Sequence, residues 1–328
     1  MQNKILILSE EDDSTTETVI KWIEYFGCDY LRLNPSSLLN FELLKLFNND
    51  DDVEFVYDNR DYKLSSFTAY WYRRGNLNFN YPMFSFQNIE VNNSIQSMLY
   101  REYTYINNYI YAYFEKKNIR SIGSIFDNKT NKITNLLKAR SIGLLVPDSI
   151  IATKKNQILE FKKKHNKILV KPIYQAGFIF ETDIIKTDGL SVLMNDADVD
   201  KLNDSIAPSL IQGYVEKKYE LRIFYLNGEC FASAIFSQLD EQTKVDFRNY
   251  NFNKPNRTPP YQLPACISDK IKRLMNELNM NSGSLDMIVT PQNDFVFLEV
   301  NPVGQFFQVS YPCNFYLEKK IAEYLCNN

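Results

Sequence analysis

The sequence predicts an α/β domain followed by strand-rich α+β lobes. Three observations point that way: a β-α-β opening, alternating strand and helix signals from 131 to 215, and a last third dominated by apolar alternation. Residues 4–8, KILIL, are the short apolar run of a buried strand. SEEDDSTT then supplies capping residues for the helix ETVIKWIEYF, and Gly27 lies just past its end. CDYLRLN and TAYWYRRG (68–75) read as the second and third strands. The turn after the first strand, SEEDDS, lacks the glycines through which a backbone approaches a pyrophosphate, which argues against NAD or FAD.

Over 90–118, Ile95, Leu99, Tyr103, Ile106, Ile110 and Tyr113 recur at helical spacing, the stripe of a core-facing helix or a surface for a peptide. NKITNLLKARSIG begins a helix at Asn131 that ends at Gly143, and LLVPDSIIA follows as a strand. A lysine-rich helix (155–166) precedes the strands KILVKP (167–172), GFIFETDII (177–185) and SLIQGYV (209–215). ELRIFYLNGECFASAIF reads as a hairpin turning at Asn227-Gly228, and the proline-rich stretch 249–264 as a loop. A helix over 268–279 leads to the strands GSLDMIV and FVFLEV. There is no internal repeat, and the expected domains are 1–118, 119–208 and 209–328.

Composition excludes several function classes. Hydrophobic residues make up 45% of the 328 and charged residues 23%, an ordinary globular balance. A net charge of −3 gives no global attraction to nucleic acid or membrane, so neither is expected as a partner. The apolar start, KILIL, is too short for a signal-peptide core, and no run approaches the roughly 20 residues of a membrane span. Five scattered cysteines without a Cys-x-x-Cys pair fit reduced thiols in the cytoplasm. The single histidine, His165 in EFKKKHNK, reads as a solvated helix end. The single histidine argues against histidine triads and multi-histidine metal sites, and any catalysis is expected to rest on carboxylates, lysine, arginine and backbone dipoles.

The end of the chain is where such chemistry gathers. With PQND (291–294) as a hairpin loop, Thr290 pairs with Phe295 and Asp286 falls opposite Glu299; Asn301, two residues on, shares the face of Glu299. Opposed carboxylates repel unless a cation lies between them, and carboxylate and amide oxygens are hard ligands suited to Mg²⁺. Alone, Glu-x-Asn-Pro reads as a strand-ending turn. Lys171 closes an apolar strand before Pro172, and Lys132 opens a helix, where its charge opposes the dipole unless an anion fills the gap. Either lysine alone reads as a surface residue. Glu220 and Arg222 share one strand face, and Arg222 suits a phosphate, a developing oxyanion or a cross-strand ion pair. Arg248 lies near the proline-rich loop, and Arg73 and Arg74 end a strand.

Lysine opening a helix, Val-Lys-Pro, an acidic residue and arginine downstream, then LDMIV and FLEVNP, together resemble the ATP-grasp ligase superfamily over roughly 130–305. The chain is similar to ligases like the ribosomal-protein glutamate ligase and, within those, resembles the microviridin-type and grasp-with-spasm maturases of ribosomally made peptides. The resemblance implies a three-lobed ATP-grasp fold with an N-terminal α/β (pre-ATP-grasp) domain and ATP between the central and C-terminal lobes. Lys132 and Lys171 would bind phosphates; the stretch Gln212, Gly213, Tyr214 and Val215 would meet the adenine, with the backbone of Gly213 and Val215 in contact; Glu220 would meet the ribose. Arg222 would face the phosphoryl group, with Arg248 as a second catalytic arginine, and Asp286, Glu299 and Asn301 would hold two Mg²⁺. The loop after Lys171, YQAGF, is poorer in glycine than the usual phosphate-covering loop of these ligases.

The implied activity is ATP-dependent joining of carboxylates to hydroxyls or amines in a precursor peptide with leader and core. Asp/Glu side chains would be activated as acyl phosphates and captured by Ser/Thr or Lys as macrocyclic ω-esters or amides, releasing ADP and phosphate. A homodimer is implied as well. Two alternatives stay open: a glutamate- or glutathione-type ligase adding amino acids to an end, and an inactive ATP-binding peptide-recognition protein.

Overall fold

The computed structural model describes residues 3–47, 51–117, 119–129, 131–173, 180–181, 186–187, 191–238 and 256–327. Their contacts gather into two compact units, 1–128 with 316–328, and 129–315.

The first unit begins as its sequence predicts. β1 (Lys4–Ser9) is buried beyond Lys4. The Asp13 side chain accepts the Thr15 N–H at 2.9 Å and starts α1 (Ser14–Tyr25), which buries Thr16, Val19, Ile20 and Ile23 on one stripe. Gly27 at φ 71° then turns the chain into β2 (Asp29–Leu33). Residues 38–63, to which the sequence reading assigns nothing, form a meander of β3 (Leu38–Leu46), β4 (Asp51–Tyr57) and β5 (Arg60–Lys63). LLNFELLKL does not alternate, and a bulge between Phe41 and Leu43 breaks its period, so the strand signal is lost. β6 (Ala69–Arg73) returns beside β1, and β7 (Asn78–Phe79) pairs parallel with β3.

Arg73 is buried, 3.1 Å from Asp13 and 2.8 Å from the Thr15 hydroxyl, so it locks the start of α1. Burial pushes the Asp13 carboxyl up, but Arg73 and Thr15 outweigh it and hold the group below its usual range. The helix α2 (Ile89–Lys116) buries Leu99, Ile110 and Tyr113 and half-buries Ile95, Tyr103 and Ile106, so the stripe packs as core. β8 (Arg120–Ile122) completes a parallel sheet of order β2-β1-β6-β8.

Among the described residues the second unit holds two large antiparallel sheets and a two-stranded one. α3 (Lys132–Ser141) leads to β9 (Ser149–Lys154), α4 (Lys155–Lys164), β10 (Ile168–Lys171) and the short pair β11 (Phe180–Glu181) and β12 (Lys186–Thr187). β13 (Val192–Met194), α5 (Asp196–Asp200) and β14 (Ser205–Gly213) follow. The first sheet runs β13-β10-β14-β9 over a small core of Ala152, Ile158, Ile168, Val199 and Ile211. β15 (Tyr219–Leu226) and β16 (Glu229–Ile235) form the expected hairpin, with Asn227 and Gly228 at φ 44° and 93°. Both strands are largely buried.

Within the proline-rich stretch, 249–255 lie outside the described residues and 260–261 form β17 (Pro260–Tyr261). α6 (Ala265–Glu277), β18 (Ser282–Val289), β19 (Phe295–Asn301) and α7 (Phe307–Cys313) complete a sheet of order β17-β16-β15-β18-β19. Leu136 and Ala139 of α3 join Ile271, Leu274 and Met275 of α6 against Leu221, Ile223, Met287 and Phe297 of this sheet. The last helix, α8 (Leu317–Cys326), belongs to the first unit and packs on α1. No helix among the described residues is long and apolar enough to cross a membrane.

Candidate active site

A cleft opens between the two sheets of the second unit, and most of the sequence-predicted residues line it. Lys171 ends β10 and reaches it from one sheet; Gln212 and Gly213 end β14, and Tyr214 and Val215 carry the chain onward to β15. From the other sheet come Glu220 on β15, Asp286 on β18 and Glu299 on β19. Lys132 lines it from the first turn of α3, where Asn131 caps the helix by accepting the N–H groups of Ile133 and Thr134 at 2.9 and 3.2 Å. The anion facing Lys132 is Glu299, with Nζ 3.7 Å from Oε2.

Asp286 does stand across from Glu299, although the path differs from the one counted from the turn. The loop spans Thr290–Asp294, closed by the Thr290 N–H donating to Asp294 O at 3.0 Å, so Val289 pairs with Phe295 and the register slips by one. A bulge then leaves Leu298 unpaired between Phe297 and Glu299 and restores the Asp286–Glu299 pair. The charge of the opposed pair is met by protein cations: Lys132 on Glu299, and Arg222, whose Nη1 donates to both Asp286 oxygens at 2.6 and 2.7 Å. Arg222 faces Asp286 directly across β15 and β18, so its cross-strand pairing is real. Its Nε is buried with no hydrogen-bond partner among the described residues. Asn301 donates weakly to Glu299 at 3.5 Å and stands beside it rather than on the cleft wall. Arg248 and the YQAGF loop (174–178) lie outside the described residues.

The connecting stretch is fixed from behind. Gln212 is buried and donates to the Ser149 hydroxyl at 2.9 Å. The Gly213 N–H donates to Asp148 O at 2.9 Å, and the Tyr214 N–H to Lys167 O at 2.9 Å. A Cβ on Gly213 would lie 2.8 Å from His165 Nδ1, so any larger residue there makes the His165 ring shift. His165 does cap a helix end, but it is half-buried rather than solvated. Its ring lies tilted against Phe161 with centroids 4.4 Å apart and approaches Asp148 at 3.5 Å.

Sequence reasoning missed several cleft residues. Leu169 and Ile288 lie two positions from Lys171 and Asp286 on the same strand faces, so alternation could have found them. Lys217 could not be found that way, because it sits in the charge run VEKKYE, which reads as solvated. It is buried and ion-paired with Glu220, which also accepts from the Ser237 hydroxyl at 3.1 Å. Burial raises the Glu220 carboxyl above its usual range despite Lys217.

The donor set suits a hard divalent cation. Asp286 and Glu299 offer carboxylate oxygens and Asn301 an amide oxygen.

Comparison with solved structures decides the fold. A RiPP-associated ATP-grasp ligase from Chryseobacterium gregarium, in complex with ADP and a leader and core peptide, superposes with a TM-score of 0.80 at 24% identity, covering 99% of this chain and 97% of that one. The chain has the ATP-grasp fold. The macrocyclase MdnC from Microcystis aeruginosa MRC, bound with precursor peptide MdnA, gives 0.74 at 24% identity over the whole of both chains. The ATP-grasp ligase PsnB, complexed with minimal precursor, Mg and ADP, gives 0.72 at 14% identity, covering 99% and 98%. A family model described as prokaryotic glutathione synthetase, ATP-grasp domain, matches residues 135–253, and a search of curated proteins gives no match. The expected resemblance is thus borne out in the ATP-grasp fold, with mixed α/β architecture.

Proposed function

We propose that this chain is an ATP-dependent, ADP-forming carboxylate ligase that acts on a ribosomally made precursor peptide and closes side-chain macrocycles as ω-esters or amides. The observation that carries the reading is the cleft itself. One wall of it presents Lys171 and the Gln212–Val215 stretch; the other presents Glu220 and the opposed Asp286 and Glu299, with Lys132 beside them. Two lysines and a carboxylate pair together suit a polyphosphate held through Mg²⁺ better than either pair does alone. The solved ligases of this fold that hold ADP, Mg and precursor peptides support the choice of substrate.

In this reading Lys132 and Lys171 bind the phosphates, the backbone of Gly213 and Val215 meets the adenine, and Glu220 meets the ribose. Asp286, Glu299 and Asn301 hold Mg²⁺, two ions in the full site, and bound Mg²⁺ supplies neutralisation of phosphate charge. Arg222, anchored on Asp286, keeps its unsatisfied Nε for the phosphoryl group. A peptide carboxylate oxygen forms a bond to the γ-phosphorus as the β–γ bridging bond breaks and ADP leaves. A Ser, Thr or Lys side chain then attacks the acyl carbon and loses its proton, and phosphate departs. Water must be kept from the acyl phosphate, which is the task of the cleft walls. We place the enzyme in the cytoplasm as a homodimer.

The test is incubation with ATP, Mg²⁺ and the peptide encoded beside it. Loss of the mass of one water per link, with one ADP per link, is expected. A gain of amino-acid mass would instead favour the glutathione-type ligase that the matched family model suggests. ATP binding without ADP formation would favour an inactive recognition protein.

A further inference from the structure

We infer that Lys217 is a positioning residue for nucleotide recognition, holding Glu220 ionised and aimed so that the cleft selects a ribose diol. The inference rests on the nucleotide reading above and adds a residue to it. Lys217 and Glu220 are both buried, and they form an ion pair within one turn of chain at the cleft wall. Buried ion pairs of this kind stabilise a fold little, because desolvating two charges offsets their attraction. An apolar pair would serve the fold as well, so the charges point to a task.

The geometry indicates that task. Lys217 Nζ and Ser237 Oγ both donate to Oε1 of Glu220, a residue that lines the cleft, and its second oxygen is the one assigned to a ligand there. A carboxylate held as a pure acceptor suits vicinal hydroxyls, which both donate. Leu169 and Ile288 add apolar surface to the same cleft, and a hydrogen bond is electrostatically stronger beside apolar surface than in water. Burial raises the Glu220 carboxyl and Lys217 opposes that rise, so removing Lys217 takes away both a counter-charge and the donor that orients Oε1.

Calorimetric titration of the full chain with ATP, 2′-deoxy-ATP and 3′-deoxy-ATP in Mg²⁺ tests the idea. The wild type should favour ATP over either deoxy nucleotide by about ten-fold. Lys217→Met should bring that ratio near one, Lys217→Arg should restore most of it, and Ser237→Ala should lower it about three-fold. Lys217→Met retaining the ratio, or weakening all three nucleotides equally, would overturn the positioning role. Should Lys217→Met fail to fold, Ser237→Ala carries the test: a lowered ratio supports the aiming of Glu220, and an unchanged ratio overturns it. A wild type that binds all three equally sinks the ribose pairing while sparing the nucleotide reading. A wild type that binds none sinks both.

Discussion

Glu299 shows how far a single residue's role depends on its partners. In sequence it closes a strand; in the structure it lies 3.7 Å from Lys132, accepts from Asn301 and stands opposite Asp286. Its ion pair is partly exposed and contributes little to stability. Glu299→Ala and Asn301→Ala should therefore keep the fold and lower ADP formation by at least about 100-fold, measured by coupled assay with peptide. Either variant working near the wild-type rate would remove the metal assignment.

Asp127 makes a separate prediction at the same scale. Burial, with the Glu115 charge adding to it, raises its carboxyl to about 7. A raised carboxyl favours the folded state most when protonated, below its ordinary value, and that contribution is lost as pH rises toward 7. Thermal midpoints should accordingly fall between about pH 4 and about 7 by more in the wild type than in Asp127→Asn. Equal slopes for the two proteins would contradict the assignment.

At the scale of elements, two supports hold the cleft in shape. Asn131 caps α3 through two backbone N–H groups and so fixes the turn that carries Lys132. Asn131→Ala should cost about 1 kcal/mol in denaturant unfolding and weaken ATP binding as Lys132 loses its placement. Gly213 is pressed between the cleft and His165, and Gly213→Ala should cost about 1–3 kcal/mol through overpacking. A stable Gly213→Ala protein with unchanged nucleotide affinity would show that His165 yields freely.

Legibility in the sequence follows the same divisions. α1, α3 and the β15–β16 hairpin are readable because caps, Gly27 and Asn227-Gly228 mark their ends locally. The Asp286–Glu299 pairing is readable in outcome, although a five-residue turn and the Leu298 bulge offset each other on the way. The β3–β5 meander is not readable, because its first strand is mostly exposed and bulged. Lys217 is invisible because nothing in a charge run distinguishes the one lysine that packs inward.

Across the whole molecule, the nearly neutral charge and the single histidine remove many chemistries on composition alone. The return of α8 to pack on α1, far away in sequence, is beyond any local signal. The proposed nucleotide site draws on both sheets of the second unit, and each supplies part of it. A ligand at 100 times its Kd stabilises the state it binds by about 2.7 kcal/mol, enough to slow amide exchange in the strands that contact it. Hydrogen exchange mapped along the chain with and without ATP and Mg²⁺ is the most direct test. Slower exchange over residues 210–222 and 282–301 is the predicted result, and unchanged exchange across both segments with saturating nucleotide would contradict a site shared by the two sheets.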